Sequence, residues 1–299
     1  MQLKANFLLL LAAIIWGLAF VAQRVGMDHI QPFTFNGLRF LLGSLSLIPL
    51  IFYYSNHQQA VAQSNKTLTA WQAGIIAGLV LFLGASLQQV GLLYTTAGKA
   101  AFITCLYIIL VPIAGIFFHQ RISANTWLGS VIAVIGLYFL SMKDGFYISY
   151  GDMLELIGAI FWTAHILIIG YFSSKVDILK LALFQFITCS ALSLFTALLI
   201  ETITLSGIIQ AGIPLLYGGI CSVGIAYTLQ IVGQKHAAPA HAAIILSMEM
   251  VFAALGGFAI LDEKLAAQEF LGCILMFAGM LIAQHQTSTP QEIDSTSSV

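Results

Sequence analysis

Charged side chains are scarce in this sequence. Of its 299 residues only 8% are charged, and they divide into twelve acidic and eleven basic residues. A soluble domain carries about 25% charged residues, so this chain cannot cover its surface in water. The formal net charge is −1 and no basic patch is present to bind nucleic-acid phosphates. The composition therefore excludes a soluble enzyme, a secreted disulfide scaffold, a disordered chain and a nucleic-acid binder.

Sequence motifs of catalysis and metal binding are missing as well. We find no G-x-S-x-G, H-E-x-x-H or P-loop motif, and no G-x-G-x-x-G after a strand. The four cysteines stand singly in apolar runs, with no C-x-x-C spacing, and are expected to be packing residues. They are Cys105, Cys189, Cys221 and Cys273. We therefore predict no enzyme activity, no cofactor and no metal site.

Long apolar runs are what the sequence has instead. Hydrophobic residues make up 60% of the chain and the mean hydropathy is +0.96. We distinguish ten runs of about 20 residues, the length of an α-helix that spans the ~30 Å hydrocarbon core of a bilayer. The runs are 6–24, 34–54, 72–93, 99–118, 125–142, 152–173, 179–200, 207–232, 239–260 and 267–284. Their continuous hydrophobicity predicts an all-α polytopic membrane protein with ten transmembrane helices.

The two halves of the chain resemble each other. Residues 87–101 and 229–243 share Leu, Gln, Val, Gly and two Ala at the same positions, and Trp16 similarly aligns with Trp162. We predict two five-helix repeats, residues 1–143 and 144–284, followed by a disordered tail over residues 285–299. Five is an odd number of crossings, so the second repeat must be inverted. Inverted repeats are typical of alternating-access transporters with a midplane site; duplication kept only for folding is the alternative.

The distribution of basic residues predicts the orientation. With the N-terminus inside, the inner loops hold six Lys or Arg and the outer loops hold four, counted from the ten runs above. This excess favours cytoplasmic termini at both ends. We expect a multi-pass protein of the inner, cytoplasmic membrane, with the lipid bilayer, a small-molecule substrate and protons as its partners. The sequence does not indicate the oligomeric state.

Several short motifs occur in order along this framework. They are Trp16–Gly17, Pro32, Arg39–Phe40, the junction Gly91–x–Thr95–x–Gly98–x–Ala100–Ala101, Leu261–Asp262–Glu263–Lys264–Leu265, Gly272 and Gly279. Together they resemble the drug/metabolite transporter superfamily, specifically the EamA-type ten-helix exporters. One departure is His119–Gln120–Arg121–Ile122, where an acidic turn is usual. The resemblance implies that each half is one EamA-like repeat, that both termini face inward, and that a central cavity exports or imports small metabolites.

Ionisable groups inside apolar runs are the first candidates for the mechanism, because a charge at the bilayer centre costs at least about 2.5–3.5 kcal/mol. Glu249 lies near the middle of the ninth run and suits a proton-coupling group or a ligand for a substrate amine. The alternative is a neutral Glu that hydrogen-bonds a neighbouring helix. Tyr107 is its equivalent in the first repeat, as a cavity or packing residue. His165, in the sixth run, is either a proton carrier or a buried neutral histidine.

The other candidates were chosen by position in the repeat. Trp16 and Trp162 lie too deep for an interfacial belt and either line a cavity or fill space between helices. Arg39 either snorkels to the headgroups or faces the cavity. Gln88 and Gln230 are equivalent intramembrane amides, and Lys99 and His241 begin equivalent helices. For these four residues, pathway and structural interpretations both stay open.

We therefore predict a secondary active transporter, an exporter in direction, of small organic metabolites such as amino acids or amphipathic compounds. It would work by alternating access around a midplane cavity, with proton coupling through Glu249. Little positive charge is available near the membrane in the first half, which disfavours strongly anionic substrates. A channel or lipid scramblase is the alternative function, and an intramembrane enzyme is a third.

Overall fold

A computed structural model describes residues 2–55, 69–95, 97–118, 122–141, 149–260 and 267–284, with the backbone alone at 54, 55, 97–99, 140, 141, 257–260, 269 and 284. All secondary-structure elements in these ranges are helices. A helix satisfies its backbone N–H and C=O groups within its own segment, which is why each long apolar run folds this way in lipid. The predicted all-α, multi-pass membrane fold is confirmed.

Apart from the short helix Leu205–Gln210, the described ranges form ten helical units, seven of them unbroken. These seven are α1 (Gln2–Met27), α2 (Pro32–Ser55), α3 (Ala70–Gly91), α5 (Ala124–Ser141), α6 (Tyr150–Phe172), α7 (Ile178–Ile200) and α10 (Ala267–Gln284). Two units consist of two segments each: α4 (Ala97–Thr104 and Tyr107–Phe117) and α9 (Pro239–Leu246 and Glu249–Ile260). The last, α8, runs over Gly212–Gln234 and is a π-helix over Tyr217–Tyr227.

The length of the helices supports eight of the ten predicted membrane spans. Within the described residues, eight helices are long and apolar enough to cross a membrane, whereas α5 and α10 have the shorter apolar stretches Ala124–Phe139 and Phe270–Ala283. The eighth run, expected from residue 207, begins instead at Gly212, because Leu205–Gln210 forms a separate short helix. The Thr204 hydroxyl caps this helix by accepting the N–H of Gly207.

The breaks in α4 and α9 fall at equivalent positions of the two repeats. In α4 the N–H of Leu106 donates to Ile103 O and that of Ile108 to Cys105 O. In α9 the N–H of Met248 donates to Ile245 O and that of Met250 to Ser247 O. These tight i→i−3 bonds replace the usual i→i−4 bonds. Each break therefore rotates the residues after it, Tyr107 and Glu249, relative to the preceding segment.

Equivalent helices of the two halves run antiparallel where they meet. In the α5–α10 contact, a Cβ at Gly129 would lie 2.6 Å from Gly279 O, and one at Gly136 would lie 2.7 Å from Gly272 O. In the α2–α7 contact, the Phe40 and Phe186 ring centroids lie 6.2 Å apart and the Ser190 hydroxyl donates to Gly37 O. Antiparallel equivalent helices are what inverted repeats require. The predicted boundary at 143/144 and the tail over 285–299 lie outside the described residues and stay predictions.

The buried side chains form two large cores, and each core mixes both halves of the chain. The first core is built mainly by α1, α4, α5, α9 and α10. The second is built by α2, α3, α7 and α8, with α6 contributing to both. Trp16 and Trp162 pack against both cores. Contact therefore groups the helices by core and not by repeat.

The glycines of the α5–α10 contact provide a test of this packing. Gly129→Ala places a methyl group against a backbone carbonyl that cannot rotate away, so both helices must separate. We expect a loss of about 1–3 kcal/mol in unfolding free energy, seen as a lower melting temperature in detergent. Gly212→Ala is the matched control, because nothing lies within 4 Å of a Cβ at Gly212. Equal melting temperatures for the two variants would contradict the close contact.

Candidate functional site

A cavity lies where the two cores meet. Including its opening, it comprises about 520 Å³ of atom-free space. Helices α1, α2, α3, α4, α6, α8 and α9 all contribute to its wall. The lining residues are Trp16, Phe20, Gln23, Arg39, Gln88, Thr104, Tyr107, Trp162, Ile166, Ser222, Tyr227, Gln230, Leu246 and Glu249. Seven of the ten residues predicted from the sequence are among them, brought together from seven helices.

Glu249 contributes a carboxyl group to this wall. It is the first residue after the break in α9 and is 6% exposed. The Tyr107 hydroxyl donates to its Oε1 at 3.0 Å, and the Cys105 thiol lies 3.6 Å from the same atom. No hydrogen bond from the described residues reaches Oε2. The equivalent breaks in α4 and α9 thus join Tyr107 to Glu249 and leave one carboxyl oxygen for a ligand.

Arg39 contributes a guanidinium group from α2. It is 3% exposed and stands over the rings of Phe40 and Phe35, at 5.1 and 5.7 Å from their centroids. Its Nε is buried without a hydrogen-bond partner in the described part of the chain. No ion pair between Arg39 and Glu249 is formed. The cavity therefore presents one group of each charge, separately, to its contents.

Aromatic rings form a further part of the wall, centred on Tyr227. The Trp16 centroid lies 4.7 Å from that of Tyr227, edge-on, and the Trp162 ring stacks on it at 6.5 Å with an interplanar angle of 22°. The indole N–H of Trp16 donates to Ser222 O at 3.1 Å. This acceptor belongs to the π-helical part of α8, which carries Ser222 and Tyr227 to the cavity; π-helical turns are frequent at functional sites. The indole N–H of Trp162 has no partner among the described residues.

Amide side chains of Gln23, Gln88 and Gln230 also line the cavity. The Gln88 amide donates to the Thr104 hydroxyl at 3.2 Å. The side-chain oxygens of Gln230 and Gln23 are buried and have no partner within the described residues. Such unsatisfied acceptors are costly in a membrane. They are therefore groups that a polar ligand can satisfy.

Three predicted site residues are not among the lining residues. His165 lies behind the aromatic wall, with Nε2 3.1 Å from Gln185 Oε1 and its ring 6.0 Å from that of Tyr227. His241 lies elsewhere and pairs with Asn6 Oδ1 at 3.0 Å. Lys99 begins α4, and its side chain lies outside the described residues.

Sequence reasoning missed the remaining lining residues. They are Phe20, Gln23, Thr104, Ile166, Ser222, Tyr227 and Leu246. A helical signal was available for two of them, since Trp16, Phe20 and Gln23 are spaced i, i+4, i+7 and share one face of α1. It was also available for Ile166, which follows Trp162 by four residues on α6. Tyr227 and Ser222 had no such signal, because a π-helix changes the angular spacing on which periodicity depends.

Comparison with known proteins agrees with this architecture. An "uncharacterized transporter" of Archaeoglobus fulgidus is 32% identical over 288 residues, covering 94% of this chain and 86% of its own. A "probable amino-acid metabolite efflux pump" of Escherichia coli is 25% identical over 302 residues, covering 94% of this chain and 95% of its own. One of Salmonella typhimurium with the same name is 30% identical over 171 residues, covering 54% and 52%.

The fold and the family are also supported. A solved crystal structure superimposes with a TM-score of 0.80 over 95% of this chain and 99% of its own, at 18% sequence identity, which shows a shared fold. The model of the EamA-like transporter family matches twice, over residues 3–142 and 149–283. The chain therefore belongs to the EamA-like transporter family.

Proposed function

We propose that this protein is a secondary active transporter that exports small zwitterionic metabolites, amino acids foremost, across the inner, cytoplasmic membrane. The observation that carries the proposal is the cavity between the two cores, whose wall holds a carboxyl group, a guanidinium group and stacked aromatic rings. Both termini face the cytoplasm in this proposal. The distribution of basic residues in the loops supports that orientation.

The charges of the wall suit a zwitterion. Arg39 offers its guanidinium to a carboxylate, and Glu249 offers Oε2 to an ammonium group. An anion that lacks an amine would leave the carboxylate of Glu249 without a cationic partner. A cation that lacks a carboxylate would leave the guanidinium of Arg39 without an anionic partner. Leaving a buried charge unpaired is expensive. An α-amino acid satisfies both groups at once.

The aromatic rings suit an apolar side chain. Trp16, Trp162 and Tyr227 present faces and edges on which a flat or aliphatic group can pack. The unsatisfied oxygens of Gln23 and Gln230 accept the remaining ammonium or amide N–H groups. Large apolar and aromatic amino acids are therefore the preferred substrates.

The arrangement of the two cores supports alternating access. The cavity lies at their junction, and rocking of one core against the other would open it to each face of the membrane in turn. Two hydrogen bonds cross this junction between α1 and α8, from Trp16 Nε1 to Ser222 O and from the Tyr217 hydroxyl to Ile15 O. If α1 slides against α8 during this motion, these two hydrogen bonds must be kept or replaced by others. A proton on Glu249 would couple this motion to the proton gradient.

Counterflow in proteoliposomes tests the proposal. Purified protein is reconstituted with a high internal concentration of unlabelled L-phenylalanine, at equal pH on both sides, and labelled L-phenylalanine is added outside. A carrier exchanges the two, so label accumulates transiently above its external concentration. A channel or a lipid scramblase equilibrates the label without any overshoot. Absence of an overshoot for every amino acid of a panel would contradict the proposal.

Trp162→Ala tests the aromatic wall. Removing the ring deletes the surface stacked on Tyr227. It also opens a void beside Gly84, where a Cβ added to the glycine would lie 3.4 Å from the indole. We expect KM for L-phenylalanine exchange to rise about tenfold, equivalent to about 1.4 kcal/mol, with a smaller change for L-alanine. Protein yield is the control. If yield falls in proportion to transport and the two substrates change equally, the ring is a packing element only.

A further inference from the structure

A second buried acid lies beyond the wall of the cavity. Glu155, on α6, is 0% exposed and its Oε1 has no hydrogen-bond partner in the described part of the chain. No described Lys, Arg or His side chain pairs with it. A buried carboxylate without a cationic partner is expensive in a low-dielectric interior. Glu155 therefore needs a positive charge that the described side chains do not supply.

A hydrogen-bond chain connects Glu155 to the cavity. The Gln88 amide donates to the Thr104 hydroxyl at 3.2 Å, and Thr104 donates to Glu155 Oε2 at 3.1 Å. Thr104 is the donor of the second bond while Glu155 is ionised, because a carboxylate can only accept. Gln88 and Thr104 line the cavity, whereas Glu155 does not. Only a species small enough to pass along a hydroxyl group reaches Glu155 from the cavity.

The repeat shows that packing alone does not require an acid at this position. The register that aligns Trp16 with Trp162 aligns Leu9 with Glu155. A Cβ at Gly91 would lie 2.7 Å from Glu155 Oε1, and a Cβ at Gly233, its equivalent, would lie 2.7 Å from Leu9 Cγ. Leu9 is likewise fully buried. Equivalent positions, each packed against an equivalent glycine, therefore hold leucine in the first half and glutamate in the second.

The apolar half continues this contrast. The residue equivalent to Thr104 is Leu246, so the hydroxyl that reaches the acid is also missing there. The oxygen of Gln230, the equivalent of Gln88, has no partner within the described residues. The Glu155–Thr104–Gln88 chain thus exists on one side of the cavity only. It also joins α6 and α4 to α3, and so links the first core to the second.

We infer that Glu155 is a second proton-binding site, loaded from the cavity through the Thr104 hydroxyl, which couples proton binding to the link between the two cores. A hydronium ion in the cavity gives a proton to the Thr104 oxygen and becomes water, while the hydroxyl proton passes to the Glu155 carboxylate at Oε2. The return step reverses both transfers, with no oxidation. This inference rests on the proposed transport function. With the proton bound, the carboxyl is neutral, and its bond to Thr104 weakens because charge assistance is lost.

The groups that face Glu155 do not offer a competing explanation. Asp152, one turn earlier on α6, is the acid that interacts with it, and its carboxylate oxygens accept from the Thr95 hydroxyl and the Ser149 N–H. From α3 the backbone of Gly91 faces Glu155, and from α4 the facing group is Thr104. Arg24 of α1 reaches the same end of α3 but donates to Leu92 O. The side chain of Lys99 lies outside the described residues.

Infrared spectroscopy tests the inference without any substrate. Difference spectra of the purified protein between an acidic and an alkaline pH show the C=O stretch of each buried carboxyl group that gains a proton. We expect Glu155→Gln to remove one such band and Glu249→Gln to leave that band in place. Thr104→Val should shift the band of Glu155, because the hydroxyl is lost, and Thr188→Val is the matched control, since its hydroxyl bonds Phe184 O within α7. A Glu155→Gln spectrum identical to that of the wild type overturns the inference, as does a band that responds to sodium ions and not to pH.

Proteoliposomes with the membrane potential clamped test the coupling. Two protons per cycle accumulate L-phenylalanine about 100-fold per pH unit of gradient, and one proton about tenfold. Glu155→Gln should therefore lower the accumulation ratio about tenfold per pH unit, and an unchanged ratio would overturn its role in coupling. If the wild type transports no amino acid, the proposed function fails, while the infrared bands still decide whether Glu155 binds a proton.

Discussion

Glu249→Gln should lower the pH-driven accumulation ratio of L-phenylalanine about tenfold per pH unit of gradient. One coupled proton is worth about 1.4 kcal/mol per pH unit, a tenfold concentration ratio, and glutamine cannot carry it. The amide keeps the size of the side chain and an acceptor for the Tyr107 hydroxyl, which now lies 3.0 Å from Oε1. We therefore expect protein yield and melting temperature close to those of the wild type. The measurement is the steady-state accumulation ratio in proteoliposomes with and without a pH gradient.

The control for this variant is Tyr107→Phe. It removes the hydrogen bond to Glu249 but leaves the carboxyl group, so the pH gradient should still drive accumulation, with an altered pH profile. Loss of accumulation in both variants to the same extent would indicate damage to the fold at the equivalent breaks. A Glu249→Gln protein with the same accumulation ratio as the wild type at every pH gradient would contradict proton coupling through this residue.

Arg39→Gln should weaken the binding of amino acids without weakening the binding of amines. Removing one member of a buried charge pair costs about 2–5 kcal/mol, so KM for L-phenylalanine should rise about 30-fold or more. Phenethylamine has the same ring and ammonium group but lacks the carboxylate that Arg39 would bind. Its inhibition of exchange should therefore be unchanged or stronger in the variant. Competition assays with both compounds measure the difference.

The stability of Arg39→Gln provides an independent readout. In the protein without substrate, Nε of Arg39 is buried and unpartnered among the described residues. Replacing a buried, uncompensated charge by a neutral group is often neutral or stabilising, so the melting temperature should not fall. A fall in melting temperature together with equal loss of both ligands would make Arg39 a structural residue and contradict the zwitterion site.

The helices could be predicted from sequence because lipid leaves little choice: each long apolar run must satisfy its backbone internally. The breaks in α4 and α9 could not be predicted. Leu106 and Met248 are good helix formers, and neither Pro nor Gly stands at either break. The sequence also could not predict that each core contains helices from both halves of the chain. The repeat pattern shows which helices are equivalent and does not show which helices are in contact.

The site was partly predictable, because an acid in the middle of an apolar run and its equivalent in the other repeat are conspicuous. Glu249, Tyr107, the two tryptophans and the two glutamines follow from that reasoning. Glu155 does not, because it lies only a turn and a half into α6. At that depth, sequence alone does not separate a buried acid from one in a loop. Arg39 required the structure to choose the cavity over the headgroups.

Accessibility of one cavity residue from both faces of the membrane tests alternating access most directly. Ser222 lines the cavity beside Trp16; Ser222→Cys is introduced after the four native cysteines are replaced and transport is verified. A membrane-impermeant maleimide is applied to right-side-out and inverted vesicles. The account predicts labelling from either face, with L-phenylalanine protecting from both. Labelling from one face only, with and without the amino acid, would contradict it.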